Sequence, residues 1–125
     1  MKTAADKKIL IVDDEAGLRG IIGSFFRVKG FQTAEAGDGL EAMERIREER
    51  PDVVLLDINM PIMDGLTFLS KVKEDPSMNT VPVIILSART ESKDVEKGIG
   101  LGAQFYLEKP ISFENLNRCV QVVLQ

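Results

Sequence analysis

Hydrophobic residues along the chain occur in short continuous runs that alternate with segments of helical spacing. The runs predict five strands, at residues 9–12, 32–34, 53–56, 83–86 and 105–107. Three of them consist almost entirely of Val, Ile and Leu, which is typical of parallel strands covered on both faces. The intervening and final segments predict five helices, at residues 16–28, 40–49, 66–73, 93–100 and 113–124. This alternation predicts a three-layer α/β fold with a parallel sheet.

Local signals mark the ends of several helices. Gly30 follows the first predicted helix at the position of a C-terminal glycine cap, and Ser112 precedes the last one as an N-cap. The fourth helix contains Gly98 and Gly100, and each glycine inside a helix costs about 1 kcal/mol relative to alanine. We therefore expect a short or frayed fourth helix. The alternative is a helix that ends at Lys97 and is followed by an ordinary glycine-rich loop.

Length and composition restrict the class of protein. A chain of 125 residues with 44% hydrophobic residues is large enough for one globular domain with a buried core. We expect residues 8–125 to form this domain and residues 1–7 to form a polar tail. No apolar run is long enough to span a bilayer, and the polar start lacks the apolar centre of a signal peptide. Met1 and the short tail favour a natural single-domain protein over a domain cut from a longer one.

Charge, cysteine usage and the absence of histidine exclude several functions. The single cysteine, Cys119, cannot form an internal disulfide, so we expect a reducing, cytoplasmic environment. A net charge of −4 without a basic cluster argues against direct contact with nucleic acid. The chain has no histidine, which removes the commonest zinc ligand and every Ser-His-Asp arrangement. Any chemistry must therefore use carboxylates, hydroxyls and lysine, with or without a metal ion.

Polar side chains stand directly after four of the five predicted strands. They are Asp13 and Asp14, Asp57, Ser87, and Lys109. Ligands of open parallel sheets bind beyond the carboxyl ends of the strands, where the strand order reverses. If the first, third, fourth and fifth strands are neighbours, these side chains converge in one shallow pocket.

The chemistry of such a pocket is that of phosphoryl transfer. Three carboxylates close together repel one another, which raises their pKa values unless a cation compensates. An all-oxygen site suits Mg²⁺, or Mn²⁺, better than zinc or copper. Asp57 can then act as the nucleophile, while Lys109 and the Ser87 hydroxyl donate to phosphoryl oxygens.

Each of these residues also has an ordinary structural explanation. A single Asp after a strand is more often a turn former or a helix cap, and a single Lys is usually a solvated surface residue. Their convergence on one pocket is harder to explain structurally, because burying three acids together destabilises a fold. We therefore favour a functional site.

The motifs resemble those of response-regulator receiver domains of two-component signalling, similar to the single-domain chemotaxis-type regulators. The strongest element runs from Pro51 to Gly65 (PDVVLLDINMPIMDG), and VDDE at 12–15, LSA at 86–88 and KP at 109–110 accompany it. The resemblance extends from Lys8 to the last helix. It implies a doubly wound, five-stranded sheet with the flavodoxin-like strand order 2-1-3-4-5.

The resemblance also implies a role for each site residue. Asp57 is the phosphoacceptor. Asp14, Asp57 and the Asn59 backbone carbonyl ligate Mg²⁺, and Asp13 acts largely through water. Lys109 pairs with the phosphoryl group, and the Lys109-Pro110 peptide is expected to be cis. The small side chain of Ala88 leaves the pocket open, and Arg89 and Asn59 influence how long the phosphoryl group survives.

A conformational switch and two kinds of partner follow from the same resemblance. The Ser87 hydroxyl moves toward the phosphoryl group, and the Tyr106 ring turns inward behind it. This motion shifts a downstream-protein face made of the fourth helix, fifth strand and last helix. The phosphodonor is a histidine kinase or a phosphotransfer protein. The domain would catalyse its own phosphorylation and dephosphorylation, and would not otherwise be an enzyme.

Three alternatives remain at the level of sequence. A haloacid-dehalogenase-type phosphatase needs an acid two residues after the nucleophile, where this chain has Asn59. A flavodoxin-like FMN carrier needs a phosphate-binding loop after the first strand, where Asp13 and Asp14 would repel phosphate. A receiver used only as a docking scaffold is compatible with the sequence.

Overall fold

The computed structural model describes residues 6–88 and 92–125, which form alternating strands and helices. The strands are β1 (Lys8–Val12), β2 (Gln32–Ala36), β3 (Val53–Leu56), β4 (Val83–Ser87) and β5 (Phe105–Glu108). The helices are α1 (Ala16–Val28), α2 (Gly39–Glu49), α3 (Gly65–Glu74), α4 (Ser92–Gly100) and α5 (Phe113–Val123). Within the described residues, no helix is both long and apolar enough to cross a membrane.

The sheet has the order β2-β1-β3-β4-β5 with every pair parallel, which confirms the predicted topology. The order reverses between β1 and β3, whose last residues, Val12 and Leu56, are register partners. The carboxyl ends of these strands therefore lie side by side, where open parallel sheets bind their ligands.

Two hydrophobic clusters cover the two faces of the sheet. One contains Phe68 of α3 and Ile46 of α2 and packs on Leu10, Val54 and Ile85. The other contains side chains of α1 and α5, such as Phe26 and Val120, and packs on the alternate residues of the same strands. Because successive residues of a strand point to opposite faces, a continuous run such as VVLL in β3 supplies both clusters.

Several element boundaries differ from those predicted by the sequence. β2 extends two residues further than predicted, to Ala36, because Ala36 pairs with Val12 and its carbonyl accepts from the Asp13 N–H. α2 and α3 begin one residue earlier than predicted, after Asp38 and Asp64, whose carboxylates accept from backbone N–H groups in the first turn. Side-chain caps therefore set both starts.

The predicted caps of α1 and α5 are confirmed. Gly30 follows α1 with a positive φ of 100°, and its N–H donates to the Arg27 carbonyl. The Ser112 side chain accepts from the Asn115 N–H at the start of α5. α5 ends at Val123, one residue earlier than predicted.

α4 continues through both of its glycines and ends at Gly100. The alternative in which the helix ends at Lys97 is therefore wrong. α4 has 9 residues, fewer than each of the other described helices, as expected. Its fraying stays a prediction.

Candidate phosphoacceptor site

Asp13 follows β1 and is buried, with 1% of its surface exposed. Its backbone N–H donates to the Ala36 carbonyl at 3.1 Å, and its own carbonyl accepts from Arg19 Nη1 at 2.7 Å. Arg19 Nε in turn donates to Glu35 Oε1 at 2.9 Å. Asp13 is thus fixed by the neighbouring strand and by a charged side chain of α1.

Asp57 follows β3 and has 4% of its surface exposed. Its N–H donates to the Val12 carbonyl at 2.8 Å, which continues the ladder between β1 and β3 by one residue. The Asn59 N–H donates to Asp57 Oδ1 at 3.2 Å, whereas the Asn59 residue is exposed. The backbone on both sides therefore determines where the Asp57 carboxylate lies.

The loop between β3 and α3 passes close to other parts of the backbone at two glycines. A Cβ at Gly65 would lie 2.4 Å from the Asp57 carbonyl oxygen, and one at Gly39 would lie 2.4 Å from the Met63 carbonyl oxygen. The Gly65 N–H donates to the Ile58 carbonyl, and the Gly39 N–H donates to the Met63 carbonyl. These contacts fix the loop that begins at Asp57.

Lys109 reaches the acids from β5. Its N–H donates to the Ser87 carbonyl at 2.8 Å, which joins the ends of β4 and β5. Its Nζ donates to Asp13 Oδ2 at 2.8 Å and lies 3.6 Å from Asp57 Oδ2. The Lys109-Pro110 peptide is cis, which confirms that expectation.

Asp13, Asp14 and Asp57 form an oxygen cluster that could hold a metal ion. Each offers a carboxylate oxygen, and these oxygens lie within 4.8 Å of one another. Asp13 and Asp57 are buried, and Asp14 is exposed. Because a hard divalent cation prefers oxygen ligands and commonly keeps several waters, this donor set fits Mg²⁺.

The surroundings of Asp57 raise the pKa of its carboxyl above the ordinary value. Burial is the largest cause, and the negative charges of Asp13 and Asp14 add to it; the Asn59 N–H and the Lys109 charge oppose the rise. The sequence predicted a raised pKa from repulsion between the carboxylates, but burial of Asp57 contributes more to the rise. For Lys109, burial lowers the pKa, but the hydrogen bond to Asp13 and the charges of Asp57 and Asp13 outweigh it, so the pKa is raised.

Ser87 and Tyr106 lie on neighbouring strands beside this cluster. Ser87 is the last residue of β4, one residue further along than the strand predicted from sequence, and it is fully buried. Tyr106 is half-buried on β5, where it packs against the cluster that contains Ile85. Ala88 is exposed. The expectation for Arg89 concerns a residue that lies outside the described part of the chain.

The structure therefore brings Asp13, Asp14, Asp57 and Lys109 into one cluster, with Ser87 on the adjoining strand end. The roles assigned to them, and to Asn59 and Tyr106, stay predictions. Sequence reasoning missed Arg19, which holds the Asp13 carbonyl and gives no motif signal. It also missed the close approach at Gly65, for which the Asp64-Gly65 pair after the strand was an available signal.

Comparison with known proteins identifies the family. A family model described as the response regulator receiver domain matches residues 9–121. The DNA-binding response regulator MtrA of Mycolicibacterium paratuberculosis is 39% identical over 110 residues, which cover 88% of this chain and 48% of the relative. The transcriptional regulatory protein PrrA of Mycobacterium bovis is 37% identical over 118 residues, which cover 94% of this chain and 50% of the relative. The chain thus spans about half the length of these relatives.

A solved structure supports the same assignment over the full fold. The chemotaxis protein CheY4 of Vibrio cholerae superposes with a TM-score of 0.88 at 31% sequence identity, covering 94% of this chain and 98% of that one. The sequence motifs, the strand order and the acidic cluster at the switch point agree with this likeness. The chain belongs to the response regulator receiver domains of two-component signalling.

Proposed function

We propose that this domain accepts a phosphoryl group on Asp57 from the phosphohistidine of a histidine kinase or a phosphotransfer protein. The observation that carries the proposal is the cluster itself: the Asp57 carboxylate ends a central strand with two further acids and the Lys109 ammonium around it. Two of these acids, Asp13 and Asp57, are buried, and burying two carboxylates side by side is costly to the fold, so a purely structural role does not account for the cluster.

In the proposed transfer, a carboxylate oxygen of Asp57 attacks the phosphorus atom. The bond between phosphorus and the donor imidazole nitrogen breaks, and the leaving nitrogen keeps the electron pair and takes up a proton. The nucleophile must be ionised, and the Asn59 N–H and the Lys109 charge favour that form against the effect of burial. Lys109 and the Ser87 hydroxyl would donate to the phosphoryl oxygens, where negative charge spreads.

Asp13, Asp14 and Asp57, with the Asn59 backbone carbonyl, would hold Mg²⁺ at this cluster, and Mn²⁺ fits the same oxygen ligands. When bound, the ion supplies positive charge that offsets repulsion between the acids and the incoming phosphoryl group. Lys109 alone offsets only part of the charge of three carboxylates.

We further propose that phosphorylation shifts the surface formed by α4, β5 and α5, to which a downstream protein binds. Ser87 and Tyr106 would carry the change, because they lie on adjacent strands between the acids and α4. MtrA is described as a DNA-binding response regulator. For this domain we propose protein partners and no direct contact with nucleic acid, since the net charge of the chain is −4.

The proposal is tested by incubation with acetyl phosphate, with and without Mg²⁺, followed by intact-mass measurement. We expect one base-labile phosphoryl adduct that requires Mg²⁺ and is absent from Asp57→Asn. The matched control is Asp38→Asn, which changes another acid but preserves the N-cap of α2, because Asn caps as well as Asp does.

Beryllofluoride, which mimics an acyl phosphate, separates the remaining outcomes. Binding without an adduct would indicate rapid loss of the phosphoryl group from an intact site. Failure of both the adduct and beryllofluoride binding would refute the phosphoacceptor function and favour a docking scaffold. Steady release of phosphate from a generic ester would instead favour a phosphatase.

A further inference from the structure

Gly98 lies in the last turn of α4 and is buried against the sheet. A Cβ at this position would lie 2.6 Å from Ile85 Cδ1 and 3.4 Å from Tyr106 Cδ2. The first distance is shorter than the contacts that Cβ atoms make in protein structures, so a side chain at position 98 requires a neighbouring atom to move. The glycine therefore lets the α4 backbone rest directly on Ile85 and beside the tyrosine ring.

Ile85 and Tyr106 are register partners on β4 and β5. Parallel register partners point to the same face of a sheet, and residues two apart on a strand share a face. Ser87, two residues beyond Ile85, thus lies on the face that α4 covers. Gly98 therefore contacts the strand pair immediately before the switch residue of the proposed site.

Gly100 provides a contrast within the same helix. A Cβ at Gly100 would meet no atom within 4 Å, and the residue is exposed. Both positions are glycines of α4, so both gain helix propensity on substitution by alanine. Only position 98 also gains a steric conflict, and the two substitutions can therefore be compared directly.

We propose that Gly98 is a positioning residue of the switch, through which the orientation of the Tyr106 ring and the position of α4 determine one another. This inference rests on the proposed function and extends it to a residue of α4. Because Gly98 has no Cβ, the Tyr106 ring packs beside the backbone of α4 with no side chain between them. A change of ring orientation then moves α4, and a displaced α4 changes the space open to the ring.

Only the contact with Ile85 Cδ1 is too short, because 3.4 Å from a Cβ to Tyr106 Cδ2 is an ordinary van der Waals contact. Ile85 is fully buried, so the core around it limits how far its side chain can turn away. An alanine at 98 therefore favours an arrangement in which α4 is displaced from Ile85, and with α4 the helix surface beside the Tyr106 ring.

The first test compares the tyrosine emission of Gly98→Ala and Gly100→Ala without any ligand. Tyr106 is the only tyrosine and the chain has no tryptophan, so the emission reports on this ring alone. We expect Gly98→Ala to change the emission or its quenching by iodide, and Gly100→Ala to match the wild type. A general loss of stability without displacement of the ring would not produce this difference.

The second test measures the beryllofluoride concentration at half-saturation, with Mg²⁺ present. We expect Gly98→Ala to shift this midpoint by about threefold or more, because it changes the population of the arrangement to which the ligand is coupled. Gly100→Ala should leave it unchanged. If Gly98→Ala had the same tyrosine emission and the same beryllofluoride midpoint as Gly100→Ala, the proposal would be overturned.

A double variant separates the steric cause from a general loss of folding. Ile85→Val removes the Cδ1 atom that the new Cβ would meet. Gly98→Ala combined with Ile85→Val should therefore restore folding and return the midpoint toward that of Ile85→Val alone; a midpoint that stays fully shifted would contradict the mechanism. If the wild type forms no phosphoryl adduct and binds no beryllofluoride, the phosphoacceptor proposal fails, while the ligand-free emission still decides the role of Gly98.

Discussion

The Lys109 ammonium donates to Asp13 Oδ2 at 2.8 Å, and these two side chains have 19% and 2% of their surface exposed. The pair links the end of β5 to the end of β1 across β3 and β4. Lys109 thus compensates one of the three clustered carboxylates before any metal ion or donor arrives. Removing Lys109 leaves the buried Asp13 carboxylate without its compensating charge.

We predict that Lys109→Gln lowers the free energy of unfolding in the absence of divalent ions by about 3 kcal/mol, the typical cost of breaking a buried ion pair from one side. Added Mg²⁺ should restore part of this loss, because it supplies charge at the same carboxylates. Urea denaturation with EDTA and with Mg²⁺ measures both effects. Phosphorylation should be lost in either case, since Lys109 also faces Asp57.

Lys71→Gln is the matched control, because Lys71 is an exposed lysine on α3. Its substitution should change stability by no more than about 0.5 kcal/mol, as is usual at the surface. Equal losses for the two variants would contradict the role given to the Lys109–Asp13 pair.

Asp57→Asn should stabilise the metal-free fold at neutral pH by about 1 kcal/mol or more, because an amide avoids the cost of a buried charge beside two other acids. The folded-state pKa of Asp57 is raised above the ordinary value of 3.8. At pH values between the ordinary pKa and the raised folded-state pKa, the folded protein binds more protons at Asp57 than the unfolded chain does. Asp57 therefore makes the free energy of unfolding fall as pH rises through this range. Below this pH range Asp57 is protonated in both states, so the cost of its buried charge is absent. Above this range Asp57 is ionised in both states, and the folded protein bears the full cost.

The stability difference between Asp57→Asn and the wild type should therefore grow as pH rises from about 4 and become constant above the raised folded-state pKa of Asp57. Thermal unfolding in EDTA across this range measures it, and comparison of the two proteins cancels the titration of the other groups. Mg²⁺ should reduce the difference by compensating the Asp57 charge. A difference that is the same at both ends of the range would rule out Asp57 as its source.

The positions of the site residues could be predicted because they depend on strand order alone. The apolar run before Asp57 marks a strand covered on both faces, and its end marks one edge of the sheet. Parallel strands place such ends together, so Asp13, Asp57 and Lys109 converge whatever the details of packing. The identities of the side chains then suggest a metal ion and a phosphoryl group.

Other features depend on distances between elements, which a single sequence does not contain. β2 is half-buried and lacks a continuous apolar run, so its extension to Ala36 is visible only through pairing with β1. The contact of Arg19 is with a backbone carbonyl, which no side-chain motif can mark. Gly98 and Gly100 look equivalent in the sequence, yet only Gly98 touches the sheet.

Ile62 in the loop after Asp57 adopts a φ of +68°, in the left-handed region, with 79% of its surface exposed. This conformation costs an L-residue about 1–2 kcal/mol, and β-branched residues adopt it least readily, whereas Asn tolerates it. We predict that Ile62→Asn raises the free energy of unfolding by about 1 kcal/mol. The control is Ile21→Asn on α1, also exposed but in a helix, which should not stabilise the protein. Stabilisation by both variants would point to lost surface hydrophobicity as the cause.

Gly65 begins α3, and a Cβ at this position would clash with the Asp57 carbonyl oxygen. The neighbouring atoms are backbone, which cannot rotate away as a side chain could. Gly65→Ala must therefore push α3 away from the end of β3 and displace the loop that carries Asn59. We predict a loss of stability of about 2 kcal/mol or more, within the range of overpacking substitutions, and weaker binding of Mg²⁺.

Gly20→Ala provides the opposite case, because Gly20 lies inside α1 and a Cβ there would meet no atom within 4 Å. Alanine should stabilise this helix by about 0.5–1 kcal/mol. Urea denaturation and Mg²⁺ titration of the two variants separate backbone contact from helix propensity, since both exchange one glycine for one alanine. If Gly65→Ala were as stable as Gly20→Ala and bound Mg²⁺ like the wild type, the close contact at Gly65 would not be what positions Asp57. We expect the two variants to depart from the wild type in opposite directions.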